Sequence, residues 1–272
     1  MRLLFFPYLR YSSARLNQRL AGKTVLITGA SFGIGASLAE SLAASKCHLL
    51  LVARTTEKLI EVKHKIEARG GRADVFSCDL TNPEEVDKLL ASIHQLGGVD
   101  VFVNNAGKSI RRSIFDAIDR RHDFSRTMNL NYFGPVQLML SLIPVLVERQ
   151  AQVINVSAVN VLLIPAPKWA AYQASKTAFD QWFRCVGPEL NARGVCMTSI
   201  YLPLVRTRMI EPTKAYTNMP AMLPEDVAAV ICKAIISRRR TYAPWWMMAG
   251  QLASVLLRWP FEAIVGNRWT QR

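Results

Sequence analysis

The sequence predicts an α/β protein: a doubly wound parallel sheet in three α/β/α layers, forming one domain. Three observations predict it. Apolar runs of strand length alternate with segments whose apolar residues recur at helical spacing. A glycine-rich turn joins the first such strand to the first such helix, and later strands end in acid or amide residues. The chain has 272 residues, a length at which α/β domains often stay undivided, and no internal repeat or low-complexity tract divides it.

Residues 24–28 (Thr-Val-Leu-Ile-Thr) read as a strand buried on both faces, as a parallel sheet requires. Gly29, Gly33 and Gly35 follow, and helical spacing runs over 36–44. A strand, a glycine turn and a helix aim unpaired backbone N–H groups and a positive helix end at one point, which suits a pyrophosphate. Gly29 permits the tight turn, Gly33 the close approach of phosphate, and Gly35 close packing of helix on strand. Together with Thr28, Ser31, Phe32 and Ile34 they form the expected floor for a dinucleotide.

The second strand, 48–53, ends at Arg54, and no carboxylate appears before Glu57. An acid here would accept from the ribose hydroxyls and favour NAD, whereas Arg54 suits a 2′-phosphate. NADP(H) is therefore the expected cofactor; the plainer reading of Arg54 is a solvated strand-end cation. Residues 75–79 read as a third strand ending at Asp79, with Leu80 next, and 99–107 as a fourth ending in Asn104-Asn105-Ala106-Gly107. Both ends fall where such a sheet holds its ligand. Residues 153–158 and 195–202 supply the fifth and sixth strands.

Tyr172 and Lys176 stand four apart at the start of an expected helix over 172–191, so they share a face. A phenol titrates near 10, too high for proton exchange at neutrality, and a cation one turn away lowers it by stabilising the phenolate. The same ammonium is within reach of a nicotinamide ribose.

Thr28-Gly-x-x-x-Gly33-x-Gly35, Asn104-Asn105-Ala106-Gly107, Asn131-x-x-Gly134 and Tyr172-x-x-x-Lys176 occur in this order over about residues 22–235. This combination resembles the short-chain dehydrogenase/reductase family. The resemblance implies a Rossmann-type domain and NAD(P)-dependent oxidation or reduction. It implies that Tyr172 exchanges the proton, that Lys176 lowers its pKa and holds the ribose, and that Asn131 sits in a distorted helix and anchors a relay water. Asp79, Leu80, Asn105, Ala106 and Gly107 would line the cofactor. Pro203-Leu204-Val205-Arg206-Thr207 resembles the family's Pro-Gly-x-x-x-Thr stretch against the nicotinamide, with Leu204 in place of the glycine. The family's serine is also displaced. The strand reads Val156-Ser157-Ala158, so Ala158 takes the usual serine position, and Ser157 lies fifteen residues before Tyr172. An extra residue in 159–168 would let Ser157 serve; otherwise alternation along the strand turns it away.

The net charge of +14 is concentrated at the ends. Arg2, Arg10, Arg15, Arg19 and Lys23 have no acid among them, and Arg238, Arg239, Arg240, Arg258, Arg268 and Arg272 face only Glu262. Both ends are also apolar, through Leu3–Leu9, Trp245-Trp246-Met247-Met248 and Leu252–Phe261. Residues 1–21 therefore read as a basic amphipathic segment, 22–240 as the cofactor-binding domain, and 241–272 as an apolar, basic extension. Neither end is long enough to span a bilayer. The expectation is a peripheral or monotopic protein on the cytoplasmic face of an anionic membrane; the alternative folds the tail over the substrate pocket or a partner subunit. No basic stripe lies on a nucleic-acid-binding module, so nucleic acid is not an expected partner.

Cys47, Cys78, Cys185, Cys196 and Cys232 form no CxxC pair and read as small buried hydrophobes in a reducing compartment. His48, His64, His94 and His122 lack ligand spacing, so no metal is expected. The apolar, Met-rich segment 203–223 would cover the pocket, suiting a lipophilic carbonyl or alcohol such as a fatty aldehyde, acyl derivative, retinoid or steroid. Residues 202–214 are also similar to the reductase portion of some bacterial fatty acyl-CoA reductases. The leading expectation is an NADP(H)-dependent oxidoreductase; the alternative, favoured by Ala158 and Leu204, is a membrane-associated redox sensor or scaffold with little catalysis. By resemblance, the helices after Asn131 and Tyr172 would pair subunits into dimers or tetramers.

Overall fold

A computed structural model describes residue 6, residues 10–211, residue 213 and residues 216–270, with the side chains of 268–270 excepted. Arg2, most of the 3–9 stretch, Pro212, Lys214 and Arg272 lie outside these residues, as does the Arg268 side chain.

The elements are α1 (Ser13–Leu20), β1 (Thr24–Thr28), α2 (Gly33–Leu42), β2 (His48–Ala53), α3 (Thr56–Glu67), β3 (Arg72–Ser77), α4 (Pro83–Gln95) and β4 (Val101–Asn104). They continue with α5 (Arg121–Met128), a π turn (Asn129–Phe133), α6 (Gly134–Glu148), β5 (Gln152–Ala158), α7 (Ala170–Ala192) and β6 (Cys196–Leu202). The last are α8 (Pro224–Ser237), β7 (Thr241–Tyr242), α9 (Met247–Leu256) and α10 (Arg258–Thr270). The seven strands form one sheet in the order β3-β2-β1-β4-β5-β6-β7, and every pairing is parallel. The order reverses between β1 and β4, where such a sheet opens a crevice at the strand ends.

Strand alternation sends each run into two cores. Val25, Ile27, Leu49, Leu51, Ile154 and Ile200 meet Leu38 and Leu42 of α2 and Val227 and Ile231 of α8. Leu26, Leu50, Phe102, Val153 and Met197 meet α4, α6 and α7 through Val86, Leu138, Leu142, Phe179 and Phe183. Covering both faces makes β1 and β2 uninterrupted aliphatic runs, as expected. Leu16 and Leu20 of α1, and Phe6 before it, are buried in the first core, so part of the basic amphipathic segment builds the domain.

Several expected boundaries move. β3 starts at Arg72 and stops at Ser77, because an edge strand can carry polar residues such as Arg72 and Asp74. β4 keeps four residues, and Asn105-Ala106-Gly107 leave it to form the crevice loop. α7 starts at Ala170, which puts Tyr172 inside its first turn. The first two residues of the 241–272 extension are the edge strand β7, paired to Ser199 and Ile200. Cys185 is exposed and departs from the buried reading, whereas Cys47, Cys78, Cys196 and Cys232 are buried. Among the described residues, one helical run, 121–148, is long and apolar enough by length and composition to cross a membrane. It is α5, the π turn and α6, and Leu138, Met139, Leu142 and Leu146 within it are core.

Candidate active site

The crevice is built around β1. Gly29 adopts φ +68, and a Cβ there would lie 2.9 Å from Asn105 Nδ2. A Cβ on Gly35 would lie 2.2 Å from the Gly29 carbonyl oxygen, so helix and turn touch through bare backbone. Phe32 caps α2 in an extended conformation with no side-chain hydrogen bond, which leaves the helix entry to a ligand. Ser31, Phe32, Gly33 and Ile34 are half-exposed along this entry.

Thr28 and Asn105 lock the turn to the β4 loop. The Thr28 hydroxyl accepts from the N–H groups of Asn105 (3.0 Å) and Ala106 (3.1 Å). Asn105 Nδ2 donates to the carbonyls of Thr28 (2.9 Å) and Gly29 (3.2 Å). These two side chains shape the cradle by holding backbone.

At its outer end, Arg54 lies 3.8 Å from Asp79. Burial raises the Asp79 pKa, but hydrogen bonds from Thr81 and the charge of Arg54 outweigh it and hold the carboxyl below its ordinary value. Lys108 is half-buried; burial lowers its pKa, and the charges of Arg126 and Arg54 lower it further. Lys108 thus feels the charge of two other cations. Leu80 is buried beneath it, and its carbonyl would lie 2.3 Å from a Cβ on Gly134. A glycine turn, an uncapped helix entry and crowded cations fit a phosphate-bearing dinucleotide.

The inner end belongs to α7. Lys176 is buried, and its Nζ donates to the Val156 carbonyl at 3.2 Å. That nitrogen lies 3.4 Å from where a Gly107 Cβ would stand, and Asn131 Oδ1 lies 3.2 Å from the same point. Gly107 is therefore the gap that lets amide, ammonium and loop converge. Asn131 sits in the π turn, as the resemblance implied. Its amide is fully engaged: Oδ1 accepts from Lys108 N (2.8 Å), while Nδ2 donates to Lys108 O (2.9 Å) and Ser175 Oγ (2.9 Å).

Tyr172 is half-buried, with Trp169 edge-on at 5.7 Å; Tyr216 stacks on Trp169 at 5.9 Å. Burial pushes the Tyr172 phenol up to about 12, and the Tyr216 phenol adds to the rise. Burial likewise brings Lys176 down to about 8, against the opposing charge of Asp180. In the protein alone, burial sets the phenol rather than the neighbouring cation.

Ser157 is not brought to the substrate side. β5 keeps its register to the end, with Ser157 opposite Tyr201 and Ala158 opposite Leu202, so the extra loop residue does not shift the strand. Ser157 falls on the α7 face, where its Oγ is buried without a hydrogen-bond partner. Its hydroxyl lies toward Asp180, where it opposes part of the rise that burial imposes on that carboxyl's pKa. Sequence reasoning missed Asp180; the available signal was an acid eight residues beyond Tyr172 on the same helical face.

The described residues of 203–223 lie at the front of the crevice, beginning with a bridge to Met222. Val205 bridges to Met222, and Arg206 N donates to the Met222 carbonyl at 2.8 Å. Pro203 and Leu204 are half-buried at its start, and Leu204 O accepts from Met222 N at 2.9 Å. Beyond the bridge, Thr207 Cγ2 lies 3.1 Å from where a Gly33 Cβ would stand, and the Arg208 guanidinium lies 4.0 Å over the Phe32 ring. The segment therefore reaches the glycine turn. A separate concavity of about 410 Å³, lined by Arg19, Lys23, Asp100, Arg149 and Arg238, opens where β1, β4 and β5 begin. Its cations are largely occupied: Lys23 and Arg149 by Asp100, and Arg238 by the carbonyls of Gln150, Ala151 and Gly194.

Comparison with known proteins agrees with this geometry. The short chain dehydrogenase family profile matches residues 23–217. A fatty acyl-CoA reductase of Acinetobacter baylyi is 47% identical over 89% of this chain and 81% of its own length. A fatty acyl-CoA reductase of Mycobacterium tuberculosis is 38% identical over 88% of this chain and 83% of its own. The crystal structure of a metagenomic short-chain oxidoreductase in complex with NADP superposes with a TM-score of 0.71 at 25% identity, covering 82% of this chain and 97% of that one. Strand order, crevice, sequence profile and relatives converge: the chain belongs to the short-chain dehydrogenase/reductase family and is an oxidoreductase acting on CH–OH or C=O groups.

Proposed function

We propose that the protein is an NADP(H)-dependent reductase of lipophilic acyl or fatty aldehyde carbonyls, with Tyr172 as the proton donor. The observation that carries this reading is the inner end of the crevice, where Tyr172 and Lys176 stand one helical turn apart beside Gly107 and Asn131. A bound nicotinamide dinucleotide supplies the hydride. Lys176 holds the ribose hydroxyls, and its charge favours the phenolate left when Tyr172 gives its proton to the developing alkoxide. Raised by burial, the phenol carries its proton at neutrality, the state that a proton donor to an alkoxide needs. Ala158 offers no hydroxyl to the carbonyl, so polarisation falls on Tyr172. Asn131 contributes by fixing the Lys108 backbone to α7. The substrate class is supported by the names of the relatives and by the half-buried and exposed apolar residues of 203–223, among them Met209 and Met219.

The preference for NADP(H) rests on Arg54, the cation that follows β2 and lies beside Asp79 at the outer crevice. Arg54→Glu is expected to raise the KM for NADPH by roughly ten- to a hundredfold, the loss of a charge-assisted phosphate contact, with little change for NADH. The test measures oxidation of both cofactors against long-chain acyl-CoA thioesters, fatty aldehydes and steroid ketones. Equal use of NADPH and NADH by the unaltered protein would remove the preference, and turnover confined to short polar ketones would remove the substrate class.

The tail adds a surface. Trp245, Met248, Leu252, Val255, Leu256 and Trp259 are exposed, Met248 by 82% and Trp259 by 76%. One side of α9 is anchored, since Ser254 Oγ accepts from Ile164 N at 3.0 Å in the loop before α7. Exposed apolar side chains in such density beside Arg258 suit an anionic bilayer surface. Vesicles containing phosphatidylserine are expected to sediment the protein, and Trp245→Ala/Trp259→Ala to leave it in solution; equal behaviour of the two proteins would remove this role. On the other helices, exposed Phe133 and Leu140 offer an apolar surface that a dimer or tetramer would cover.

A further inference from the structure

Tyr172, Lys176 and Asp180 follow one another at intervals of four along α7, descending from the crevice into the protein. Asp180 is 2% exposed. Its Oδ2 accepts from the Tyr201 hydroxyl at 3.4 Å and lies 3.9 Å from Arg184 Nη1. Its Oδ1 and the Ser157 Oγ are both buried without a hydrogen-bond partner. A carboxylate in such a place is unfavourable unless a cation compensates it. Phe179 and Phe183, its neighbours on α7, show that this side of the helix packs apolar side chains. The fold alone gives no reason for an acid here.

We propose that Asp180 is a positioning residue, a buried carboxylate that keeps the Lys176 ammonium charged and seated for the cofactor, with Tyr201 and Ser157 orienting it from β6 and β5. Burial pulls Lys176 down to about 8, and Asp180 is the acid that opposes it. In return, burial lifts the Asp180 carboxyl above its ordinary value, and Tyr201, Arg184, Ser157 and Lys176 offset only part of that rise. The other titratable groups around this column are Tyr172 and Arg184 on α7, Tyr201 on β6, Tyr216 facing Tyr172, and Arg111 facing Tyr216. None of these is a carboxyl. Removing Asp180 leaves burial unopposed, so Lys176 loses its proton at a lower pH and the cofactor loses its cation nearer neutrality. Ser157 thereby acquires a role on the inner side of the helix, different from the substrate contact that the resemblance implied.

This rests on the reading of Lys176 as the cofactor-holding cation, and the experiment separates the two. NADPH affinity is measured by fluorescence titration as a function of pH, beside kcat/KM, for the unaltered protein and for variants. Lys176→Met is expected to lose NADPH binding; retained binding would overturn the underlying reading. In the unaltered protein, affinity is expected to fall as pH rises through about 8. In Asp180→Asn the fall begins about one pH unit lower, so that affinity at that pH is roughly tenfold weaker, and Asp180→Glu restores most of it. Should Asp180→Asn fold poorly, Tyr201→Phe gives a smaller shift in the same direction. Ser157→Ala is expected to keep turnover within about tenfold and to lower the alkaline limb, whereas a substrate-contacting serine would lose roughly 10²–10³ in kcat with NADPH affinity unchanged. An Asp180→Asn protein of normal thermal stability whose NADPH affinity keeps the original pH dependence would overturn the proposal.

Discussion

Tyr172→Phe is expected to lower kcat by about 10²–10⁴, the range that a positioned general acid contributes, and to leave NADPH affinity within about twofold. The expectation follows from placement. The Tyr172 ring is held by Trp169 at 5.7 Å, and its hydroxyl forms no hydrogen bond among the described residues. Phenylalanine therefore keeps the ring and removes only the hydroxyl, and with it the transferable proton. Stopped-flow measurement of NADPH oxidation, beside binding by titration, checks it. Loss of affinity together with rate would mean that the hydroxyl serves binding, and full activity would assign the proton to another group. A phenol pushed up to about 12 also gives a pH signature in stability. Between its ordinary value of 10.0 and about 12, the folded protein keeps a proton that the unfolded chain has lost. This contribution is fully present below pH 10.0 and disappears as pH rises through that window.

Gly35→Ala is expected to weaken NADPH binding by at least about a hundredfold and to destabilise the protein by about 1–3 kcal/mol, as overpacking does. Its Cβ would sit 2.2 Å from the Gly29 carbonyl oxygen and 2.9 Å from Ala30 Cα. Both are backbone atoms, and the helix is fixed from behind by Leu38 and Leu42. Something must shift, and the turn is the least supported part. Gly70→Ala is the control: φ there is +76 with nothing within 4 Å of the new carbon, so it strains backbone without crowding any neighbour. Calorimetric melting and NADPH titration of both variants separate the effects. Stability lost by both with affinity lost only by Gly35→Ala supports the crowding argument; equal affinities would defeat it.

Much of this was legible before any coordinates, for physical reasons that differ along the chain. β1 and β2 could be read because strands covered on both faces must be aliphatic at every position. The glycine turn could be read because a requirement for missing Cβ atoms leaves its mark in residue type. β3 and β7 were harder. Arg72-Ala73-Asp74 tolerates polar residues at an edge, and Thr241-Tyr242 is too short to carry a period. α1 read as a surface segment because charge dominates its composition, yet Leu16 and Leu20 decide its position. The destination of Ser157 depended on whether one surplus loop residue shifts the strand; pairing with Tyr201 answers that, and no local pattern could. Asp180 carries little signal in the sequence because its meaning comes from β5 and β6, residues near it only after folding.

The π turn at Asn129–Phe133 also makes α5 and α6 two rods splined together at a set angle. Such a turn is an α-helix carrying one residue too many, and each residue advances the spiral by about 100°. Thr127 of α5, bonded to the Ala171 carbonyl, and Leu138 of α6, seated under the sheet, are in phase only because that surplus is present. A deletion of one residue in this stretch would heal the spiral into regular α-helix while turning one rod against the other. Helical content would survive, and the alignment that holds Asn131 between Lys108 and Ser175 would not.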